Sequence, residues 1–367
     1  MQSLSRRQWL KTAGMAGAFS LTGGAFAQET APAAALQEGP IRLNSNENPF
    51  GPSPRVLKAI EEGFRHLCRY PYPYMRSLTE ALARKHGVSP DHIVLTSGSG
   101  EGLKACGLAF GLHGGEIIAA QPTFLALMEY AQQFGAYVHY VPLDAERNHD
   151  LEAMERRMTG QTRLVFVCNP NNPTGTLLRP DRLRSFCRAA AARSVVLVDE
   201  AYHDYIGEAD YPSMTELVLQ GLNVVVSRTF SKVYGMAGLR MGYLMARPDL
   251  AQRLRSHAMA TPSVPALLAA TAALEDTEFY RMSLSKNAES QEMMYRTLDG
   301  LRYPYLRSHA NFVFFDSGRD VQEMIGAMQA RGILIGRPFP PMHTWCRVST
   351  GRIADTEAFC KALRELA

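Results

Sequence analysis

The sequence lacks three features that assign many proteins to a class: long apolar runs, paired cysteines and a strong net charge. Beyond residue 27, no stretch reaches the ~20 uninterrupted apolar residues of a membrane-spanning helix. The cysteines form no CxxC pair and no metal-ligand spacing, so we expect neither a zinc site nor a redox centre. We interpret them as mostly buried thiols: Cys68, Cys106, Cys168, Cys187, Cys346 and Cys360.

The low net charge excludes a second group of functions. The 367 residues carry +4, and the first 27 contribute three positive charges and no negative one, so the remainder is close to neutral. Such a body gives no reason to expect a nucleic acid or a membrane surface as partner. The 46% apolar composition is enough for a large buried core.

The amino terminus is organised like a secretory signal peptide. SRRQWLK at 5–11 precedes a mildly apolar stretch rich in Gly and Ala, which ends in AFA at 25–27. The paired arginines resemble a twin-arginine (Tat) signal, with Trp9 where Phe is commoner. We predict a Tat-type signal peptide at 1–27 and a periplasmic or secreted protein. The alternative is a retained membrane anchor, which the short, interrupted apolar run disfavours.

The body of the chain predicts an α/β fold with two domains. Seven short apolar runs alternate with helical patterns, which is typical of a mostly parallel sheet covered by helices on both faces. Such sheets bind ligands at the carboxyl ends of their strands. The predicted strands are 93–96, 116–120, 137–141, 164–168, 195–198, 224–227 and 241–245.

After residue 265 the pattern changes to helices, three further strands (312–316, 332–335 and 346–349) and a terminal helix, which predicts a smaller α+β domain. The expected boundaries are a flexible linker at 28–39, an N-terminal arm with part of the small domain at 40–70, a large domain at 71–262 and a C-terminal small domain at 263–367.

Lys232 lies in the segment SRTFSKVYGMAGLR at 227–240, directly after an apolar strand. A lysine at the end of a buried strand is costly unless it is used or paired. Hydroxyls at Thr229 and Ser231 and the guanidinium of Arg240 are suited to hold a phosphate beside it. This combination suggests a Schiff base to a phosphorylated aldehyde. Taken alone, the lysine is better explained as an exposed residue of a Gly-rich loop.

Asp199 closes another predicted strand and begins the segment DEAY at 199–202. An acid there could be a metal ligand, a helix cap or a charge partner. A carboxylate against a pyridine nitrogen keeps that nitrogen protonated and makes the ring an electron sink. Tyr202, three residues on, could reach the phenolic oxygen of the same ring.

Two loops complete the pattern. NPNNPTG at 169–175 follows a predicted strand, and its two prolines and glycine constrain the backbone, as suits an asparagine held over a ligand. TSGSGE at 96–101 leads from a strand through a glycine turn into a helix, whose free amides form an anion site. It matches neither a Rossmann nor a P-loop pattern, so it suits one phosphate rather than a pyrophosphate.

These elements, in this order, resemble the fold-type I pyridoxal-phosphate (PLP) aminotransferases, and in particular their histidinol-phosphate aminotransferase branch. LNSNENPFG at 43–51 is similar to that branch's LNxNENPxG segment, and CRYP at 68–71 to its RYP element. The likeness covers about residues 41–367. It implies a PLP-dependent transfer of an amino group from an amino acid or amino-alcohol phosphate to a 2-oxo acid.

The resemblance also implies roles for matching residues. Lys232 would carry the cofactor as a Schiff base and shuttle the proton of the reaction. Asp199 would pair with the pyridine nitrogen, while Tyr202 and Asn172 would hydrogen-bond the phenolic oxygen and Asn172 would also border the substrate. Arg347 would grip the substrate carboxylate in a bidentate clamp.

For the rest of the cofactor, the resemblance implies stacking of Phe124 on the ring and a phosphate site. Tyr70 would reach the cofactor phosphate of a neighbouring subunit, which implies a homodimer with composite sites. The phosphate would be held within the subunit by Gly98, Ser99, Gly100, Thr229, Ser231 and Arg240.

One segment departs from the branch. Histidinol-phosphate aminotransferases commonly carry an apolar-Arg pair after a Gly-Ile/Val-Leu turn, but here Gly336 takes the usual place of the arginine and Arg337 follows it. A one-residue shift in a strand turns a side chain to the other face, which argues against a substrate-phosphate contact. The segment FPPMHTW at 339–345 adds aromatic bulk, either at the site or as a packed loop. An aromatic or other apolar amino acid is therefore an alternative substrate.

Two rival functions remain at this point. A lyase, decarboxylase or racemase on the same fold would have the same cofactor site, and Arg347 disfavours decarboxylation only slightly. A non-catalytic exported amino-acid-binding protein would also have two lobes around a cleft. That reading leaves Lys232, Asp199 and the NPNNPTG loop unexplained.

Overall fold

The computed structural model describes residues 39–208 and 210–367. The predicted signal peptide at 1–27 and nearly all of the predicted linker lie outside the described residues. Within the described residues, no helix is long and apolar enough to span a bilayer. The cysteines are all free, and only Cys68 is exposed, as the sequence predicted.

Strands and helices alternate through the first two thirds of the chain. The strands are β1 (Ile41–Leu43), β2 (Ile93–Thr96), β3 (Glu116–Gln121), β4 (Tyr137–Pro142), β5 (Thr162–Cys168), β6 (Val195–Asp199), β7 (Val224–Thr229), β8 (Gly242–Ala246), β9 (Tyr305–Leu306), β10 (Phe312–Asp316), β11 (Ile333–Ile335) and β12 (Trp345–Ser349). The α-helices are α1 (Pro54–Gly63), α2 (Tyr72–His86), α3 (Ser99–Gly111), α4 (Ala126–Gln133), α5 (Leu151–Arg157), α6 (Pro180–Ala191), α7 (Thr215–Leu219), α8 (Pro248–Arg255), α9 (Val264–Leu274), α10 (Thr277–Leu301), α11 (Val321–Gln329) and α12 (Ile353–Leu366).

The main sheet has seven strands in the order β2-β8-β7-β6-β5-β3-β4. Only β8 runs antiparallel to its two neighbours. The four central strands are apolar and buried along most of their length because helices cover both faces. One buried cluster includes Leu103 and Phe110 of α3, and a second includes Leu183 and Phe186 of α6. The mostly parallel seven-stranded sheet is as predicted.

Local signals in the sequence set the helix ends that matter for the site. Ser53 caps α1 by accepting the amide of Val56, with Pro54 in the first turn. Gly87 ends α2 at a φ of +66°, a conformation that glycine adopts without strain. Asp276 caps α10 through the amide of Phe279.

Two small sheets accompany the main one. β10 pairs antiparallel with both β12 and β9. β1 pairs in parallel with β11, about 290 residues further along the chain. This pairing carries the LNSNENPFG segment, which directly follows β1, to the edge of the main sheet where the catalytic candidates lie.

Candidate active site

The predicted site residues meet because their strands end at one edge of the sheet. β3, β5, β6 and β7 are mutually parallel, and β2 runs the same way because β8 is antiparallel to both β2 and β7. Their carboxyl ends therefore lie together. A cavity of about 860 Å³ opens there. Ten predicted residues line it: Ser99, Gly100, Phe124, Asn172, Asp199, Tyr202, Ser231, Lys232, Arg240 and Arg347.

Lys232 extends into the cavity, partly buried. Its Nζ donates a hydrogen bond to the carbonyl oxygen of Asn46 at 2.9 Å and lies 5.4 Å from the ring centroid of Tyr202. Removal from water, together with the nearby Arg347 cation, lowers the pKa of Lys232 to about 8. A larger fraction of the amine is thus neutral, and nucleophilic, than in an exposed lysine.

Asp199 lies on the cavity floor and is 3% exposed. Its Oδ1 has no hydrogen-bond partner among the described residues. Burial raises the pKa of the carboxyl to about 6. A buried carboxylate oxygen without a partner is costly, and a protonated ring nitrogen is a partner that would offset this cost.

Tyr202 and Asn172 form a buried polar pair beside Asp199. The hydroxyl oxygen of Tyr202 accepts from Nδ2 of Asn46 at 2.9 Å and from Nδ2 of Asn172 at 3.5 Å. Burial raises the pKa of Tyr202 above its ordinary value. The tyrosine is therefore a neutral hydroxyl that can donate to a ligand oxygen.

The NPNNPTG loop is fixed by its neighbours, as its composition predicted. Asn171 accepts from the hydroxyl of Thr123 at 2.8 Å and donates to that of Thr174 at 3.0 Å. Gly175 has a φ of +72°, and a Cβ there would lie 2.4 Å from Oγ of Ser308, so no other residue fits without a shift. The hydrogen bond to Thr123 ties this loop to the segment that carries Phe124, whose side chain lines the cavity.

An anion cradle lies at the first turn of α3. Gly98 precedes the helix with a φ of +85°, and a Cβ there would lie 2.4 Å from Nη2 of Arg240. The guanidinium therefore packs against the glycine turn, next to Ser99 and Gly100. Helix amides and an arginine in this arrangement are suited to bind one phosphate.

Two buried hydroxyls complete the wall of the cradle. Thr229 at the end of β7 donates to Oγ of Ser231 at 2.9 Å and accepts the amide of Ser231 at 3.1 Å. Thr229 itself does not line the cavity, and it orients Ser231, which does. Gly242 leaves room for the glycine turn that precedes α3, because a Cβ at 242 would lie 2.5 Å from the amide nitrogen of Ser99.

Arg347 is held rigidly on the opposite wall. Nη1 donates to Oδ1 of Asn172 at 2.7 Å and Nη2 to the carbonyl oxygen of Asn44 at 2.8 Å. Its Cζ lies 4.9 Å from the ring centroid of Phe339 and 5.7 Å from that of Phe312. Nε has no hydrogen-bond partner in the described part of the chain. Burial, with the nearby Arg337 cation, lowers the pKa of Arg347 to about 10, so it stays charged at neutral pH.

Tyr70 is a predicted site residue that lies outside the cavity of its own protomer. Its side chain is 79% exposed, stacks on Tyr72 at 5.8 Å and does not line the cavity. A contact between Tyr70 and the site of the same protomer is therefore absent from the described structure.

The expectation that a one-residue strand shift turns Arg337 away from the site was wrong. β11 ends at Ile335, so the strand alternation that would have turned the side chain away does not extend to Gly336 and Arg337. Arg337 lines the same cavity as Lys232 and Arg347. Glycine is required at 336, because a Cβ there would lie 2.6 Å from the carbonyl oxygen of Arg347.

The segment at 339–345 is both a packed loop and part of the site. Phe339 and Met342 are buried in a cluster with Phe314, and Trp345 packs against it. The ring of Phe339 also lines the cavity and lies between the guanidinium groups of Arg337, at 4.5 Å, and Arg347.

Sequence reasoning missed the direct contribution of the N-terminal arm. Asn46 is 1% exposed, has a φ of +53°, and contacts Lys232, Tyr202 and Ser349 through hydrogen bonds. The signal was present, because the arm carries the family-like LNSNENPFG segment, but no residue in it had been given a role. Cavity residues without a predicted role also include Asn44, Ser45, Glu47, Cys168, Gln322, Ile325, Ile335 and Pro338.

Comparisons with known proteins agree with this geometry. Residues 38–363 match the family model of aminotransferase class I and II. A histidinol-phosphate aminotransferase of Moorella thermoacetica is 38% identical over 89% of this chain and 85% of its own length. An aromatic amino acid aminotransferase of Thermobifida fusca is 36% identical over 88% and 89%.

One of the similar solved structures contains a bound cofactor. The crystal structure of histidinol-phosphate aminotransferase from Sinorhizobium meliloti in complex with pyridoxal-5′-phosphate superposes with a TM-score of 0.82 at 27% identity. The match covers 94% of this chain and 100% of that one. The fold thus has counterparts in the same group of enzymes.

Proposed function

Because the chain belongs to the aminotransferase class I and II family, we propose that it accepts α-amino acids with aromatic or other apolar side chains as amino donors. The reaction class is PLP-dependent transamination, with a 2-oxo acid as acceptor. Bound PLP supplies an aldehyde that condenses with amino groups and a ring that takes up the electrons released at the substrate Cα.

The residues present fit this cofactor. The buried Oδ1 of Asp199 needs a cationic partner, which the protonated ring nitrogen of PLP provides. The cradle of Gly98, Ser99 and Arg240 has the components of a site for a single phosphate. Tyr202 and Asn172 lie where polar groups can hold the phenolic oxygen, and Phe124 lines the cavity beside them.

Lys232 and Arg347 perform the chemistry that the chain itself contributes. With its pKa near 8, Lys232 can accept a proton from the substrate Cα as a general base and then, as a general acid, deliver it to the carbon that was the cofactor's aldehyde, which is a 1,3-shift. Arg347 can hold the substrate carboxylate through the remaining N–H groups of Nη1 and Nη2, because Asn172 and Asn44 already fix the orientation of its guanidinium. The substrate is thereby positioned within reach of Lys232.

The observation that carries the substrate proposal is the pairing of Arg347 with Phe339. Arg347 lines the cavity, and each of its Nη atoms keeps a second N–H beyond the bonds to Asn172 and Asn44, which suits it to bind a carboxylate. Phe339, Ile335 and Ile325 provide an apolar wall next to it. A carboxylate together with an apolar side chain describes an aromatic or aliphatic amino acid, whereas histidinol phosphate has no carboxylate.

One observation favours histidinol phosphate as a second candidate. Arg337 lines the same cavity, where within the described residues it donates to the carbonyl oxygen of Pro338 at 2.9 Å and packs on the ring of Phe339. A guanidinium free of an acidic partner at the rim is suited to bind a substrate phosphate.

Half-reactions separate the two candidates. The purified holoenzyme is mixed with L-phenylalanine, L-leucine or histidinol phosphate, and the loss of the visible cofactor band is followed by stopped flow. If our proposal holds, the amino acids convert the cofactor and Arg347→Gln lowers their apparent affinity by about tenfold or more. Conversion by histidinol phosphate alone, with loss in Arg337→Gln but not in Arg347→Gln, would replace the first candidate by the second.

The attachment residue is tested by reduction with borohydride and peptide mapping. We expect a reduced pyridoxyl group on the peptide that contains Lys232. Attachment to any other lysine would contradict the assignment of Lys232.

We propose, further, that the protein is a homodimer in which Tyr70 reaches the cofactor phosphate of the partner subunit. The support is an exposed apolar stripe around the start of α2, where Phe64, Leu67, Tyr70 and Tyr72 are 57–79% exposed. Exposed side chains of this size in one short segment favour an interface between protein chains. Sedimentation velocity should give a dimer that Leu67→Asp converts into monomer, whereas a monomeric wild-type protein would refute the proposal.

The last part of the proposal is export through the Tat pathway. It rests on the sequence of residues 1–27 and especially on Arg6 and Arg7. Cell fractionation should find the protein in the periplasm or the medium, and Arg6→Lys/Arg7→Lys should retain it in the cytoplasm. Cytoplasmic wild-type protein would contradict export.

A further inference from the structure

The Glu101 carboxylate, in the first turn of α3, joins two segments that are far apart in the chain. Its Oε2 accepts the backbone amide of Ser97 at 2.5 Å. Its Oε1 accepts the amides of Met259 at 2.8 Å and Ala260 at 2.6 Å. One side chain therefore satisfies three backbone donors, each through a charge-assisted hydrogen bond.

The first segment is the glycine turn of the anion cradle at the start of α3. Ser97 lies between the end of β2 and Gly98, whose conformation places it against the guanidinium of Arg240. The hydrogen bond from Ser97 to Glu101 closes this turn across its own helix start, in the manner of a capping interaction. The carboxylate thus helps to fix the turn that faces the cofactor phosphate.

The second segment is the loop at 256–263 between α8 and α9. Met259 on this loop is 50% exposed. Met259 lines a groove of about 550 Å³ together with Met75 and Thr79 of α2. Because Tyr70 and Tyr72 lie at the start of α2, the loop borders the surface that we propose as the dimer interface.

We propose that Glu101 is a positioning residue that couples cofactor binding to subunit association. This inference rests on the homodimer proposed above. A partner that packs on the loop at 256–263 fixes Met259 and Ala260, which in turn hold Glu101 and the Ser97 turn in the shape that binds phosphate. Coupling of this kind is reciprocal, so bound PLP strengthens the dimer by the same factor by which dimerisation strengthens PLP binding.

A simple charge effect predicts the opposite sign. A carboxylate close to the phosphate turn repels a phosphate, so its neutralisation should tighten PLP binding if Glu101 acts only through its charge. If Glu101 acts by holding the two segments, its neutralisation should weaken PLP binding. The direction of the change therefore decides between the two roles.

The experiment compares wild type, Glu101→Gln and Glu101→Asp as full-length chains. The dissociation constant of PLP is measured by absorbance at protein concentrations above and below that of dimerisation. The dimer dissociation constant is measured by sedimentation velocity for the apoprotein and for the PLP-bound protein. Glu129→Gln is the matched control, because Glu129 lies in the first turn of the neighbouring α4 and is exposed.

We expect Glu101→Gln to raise the dissociation constant of PLP by about tenfold, the equivalent of one lost charge-assisted hydrogen bond. The coupling factor between PLP and dimerisation should fall below its wild-type value, and what remains is the part carried by the proposed contact of Tyr70 with the partner's phosphate. Glu101→Asp keeps the charge but shortens the side chain, so it should behave like Glu101→Gln. Glu129→Gln should match wild type in both constants.

Two results would overturn the inference while leaving the dimer intact. One is PLP binding by Glu101→Gln that equals or exceeds that of the wild type. The other is an unchanged coupling factor in a dimeric variant. A wild-type protein that sediments as a monomer would instead refute the dimer, and with it the coupling.

Discussion

At the scale of single residues, Lys232 shows how the site alters ordinary chemistry. Removal from water and the nearby Arg347 and Arg240 cations lower its pKa, while Glu47 and Asp199 act in the opposite direction. With a pKa of about 8, roughly half of the amine is neutral at pH 8, compared with under about 1% for an ordinary lysine. The residue is therefore a competent nucleophile near neutral pH.

This leads to a prediction on pH. The rate at which the apoprotein captures PLP should rise between about pH 7 and 9 with a midpoint near 8, because only the neutral amine attacks an aldehyde. Arg347→Gln should move the midpoint upwards, since it removes a cation that lowers the pKa of Lys232. Stopped-flow measurements of capture across this range test both points. A wild-type midpoint near that of free lysine would contradict the structure.

Gly98 gives a second prediction at this scale. Gly98→Ala forces an alanine into a φ of +85° and its Cβ against the guanidinium of Arg240. We expect the dissociation constant of PLP to rise by about tenfold or more, since such strain costs about 1–3 kcal/mol. Equilibrium titration of the apoprotein measures it.

Gly87→Ala is the control for backbone strain alone. Gly87 also has a positive φ, of +66°, but no atom lies within 4 Å of its missing Cβ. This variant should lose some stability while its affinity for PLP stays at the wild-type value. Equal losses of PLP affinity in both variants would show that the contact with Arg240 is irrelevant.

Lys232 and Asp199 were selected from the sequence because several motifs occur together in the order of a known family, since each residue alone had an ordinary explanation. The structure places both residues at one cavity. Arg337 could not be placed from the sequence, because its direction depends on where β11 ends, and a difference of one residue reverses the conclusion. The choice of transamination over lyase or racemase chemistry came from the relatives, since the cofactor site would be the same.

At the scale of elements, a buried ion pair holds two central strands together behind the site. Glu200 directly follows Asp199, and Arg228 alternates in β7 with Ser227 and Thr229, so its side chain points away from theirs. Nη2 of Arg228 lies 2.7 Å from Oε2 of Glu200, and Glu200 also accepts the amide of Met214. The pair fixes β6 relative to β7, and with it the positions of Asp199 and Thr229.

We expect Arg228→Met to lower the free energy of unfolding by about 3–5 kcal/mol, because it leaves the Glu200 carboxylate buried without a cation. Glu200→Gln/Arg228→Met should recover most of this loss. Urea unfolding followed by circular dichroism provides the values. A double variant as unstable as Arg228→Met would mean that the loss comes from packing rather than from charge.

An exposed ion pair serves as the matched control. Nη2 of Arg179 lies 2.9 Å from Oδ2 of Asp181, and both side chains are more than half exposed. Arg179→Met should change the stability by less than about 1 kcal/mol, because water and salt screen such pairs. The contrast isolates the effect of burial on an ion pair of similar geometry.

The strands of the main sheet were predictable to within about two residues, since apolar runs between turn signals mark buried parallel strands. β1 was not predicted. It has three residues, and its partner β11 lies about 290 residues away, so no local pattern identifies the pairing. For the same reason the arm residue Asn46 could not be placed against Lys232 from the sequence.

At the scale of the whole molecule, the position of Tyr70 bears on whether the protein forms a dimer. The residue is exposed and does not line the cavity of its own protomer, although the family resemblance gives it a role at the cofactor phosphate. Both statements hold only if the cavity that Tyr70 serves belongs to another copy of the chain. A closed two-fold dimer satisfies this condition, because each subunit then places its Tyr70 at the partner's site.

Subunit mixing tests this arrangement without any structure of the dimer. Lys232→Ala should be inactive and Tyr70→Ala strongly impaired through weak PLP binding. In a hybrid dimer of the two, one site lacks both Lys232 and Tyr70, while the other has both. Random exchange at equal concentrations gives half hybrids, so the mixture should recover about a quarter of the wild-type activity per site. If Tyr70 served the site of its own subunit, each hybrid site would lack one of the two residues, and mixing would restore nothing beyond the residual activity of Tyr70→Ala.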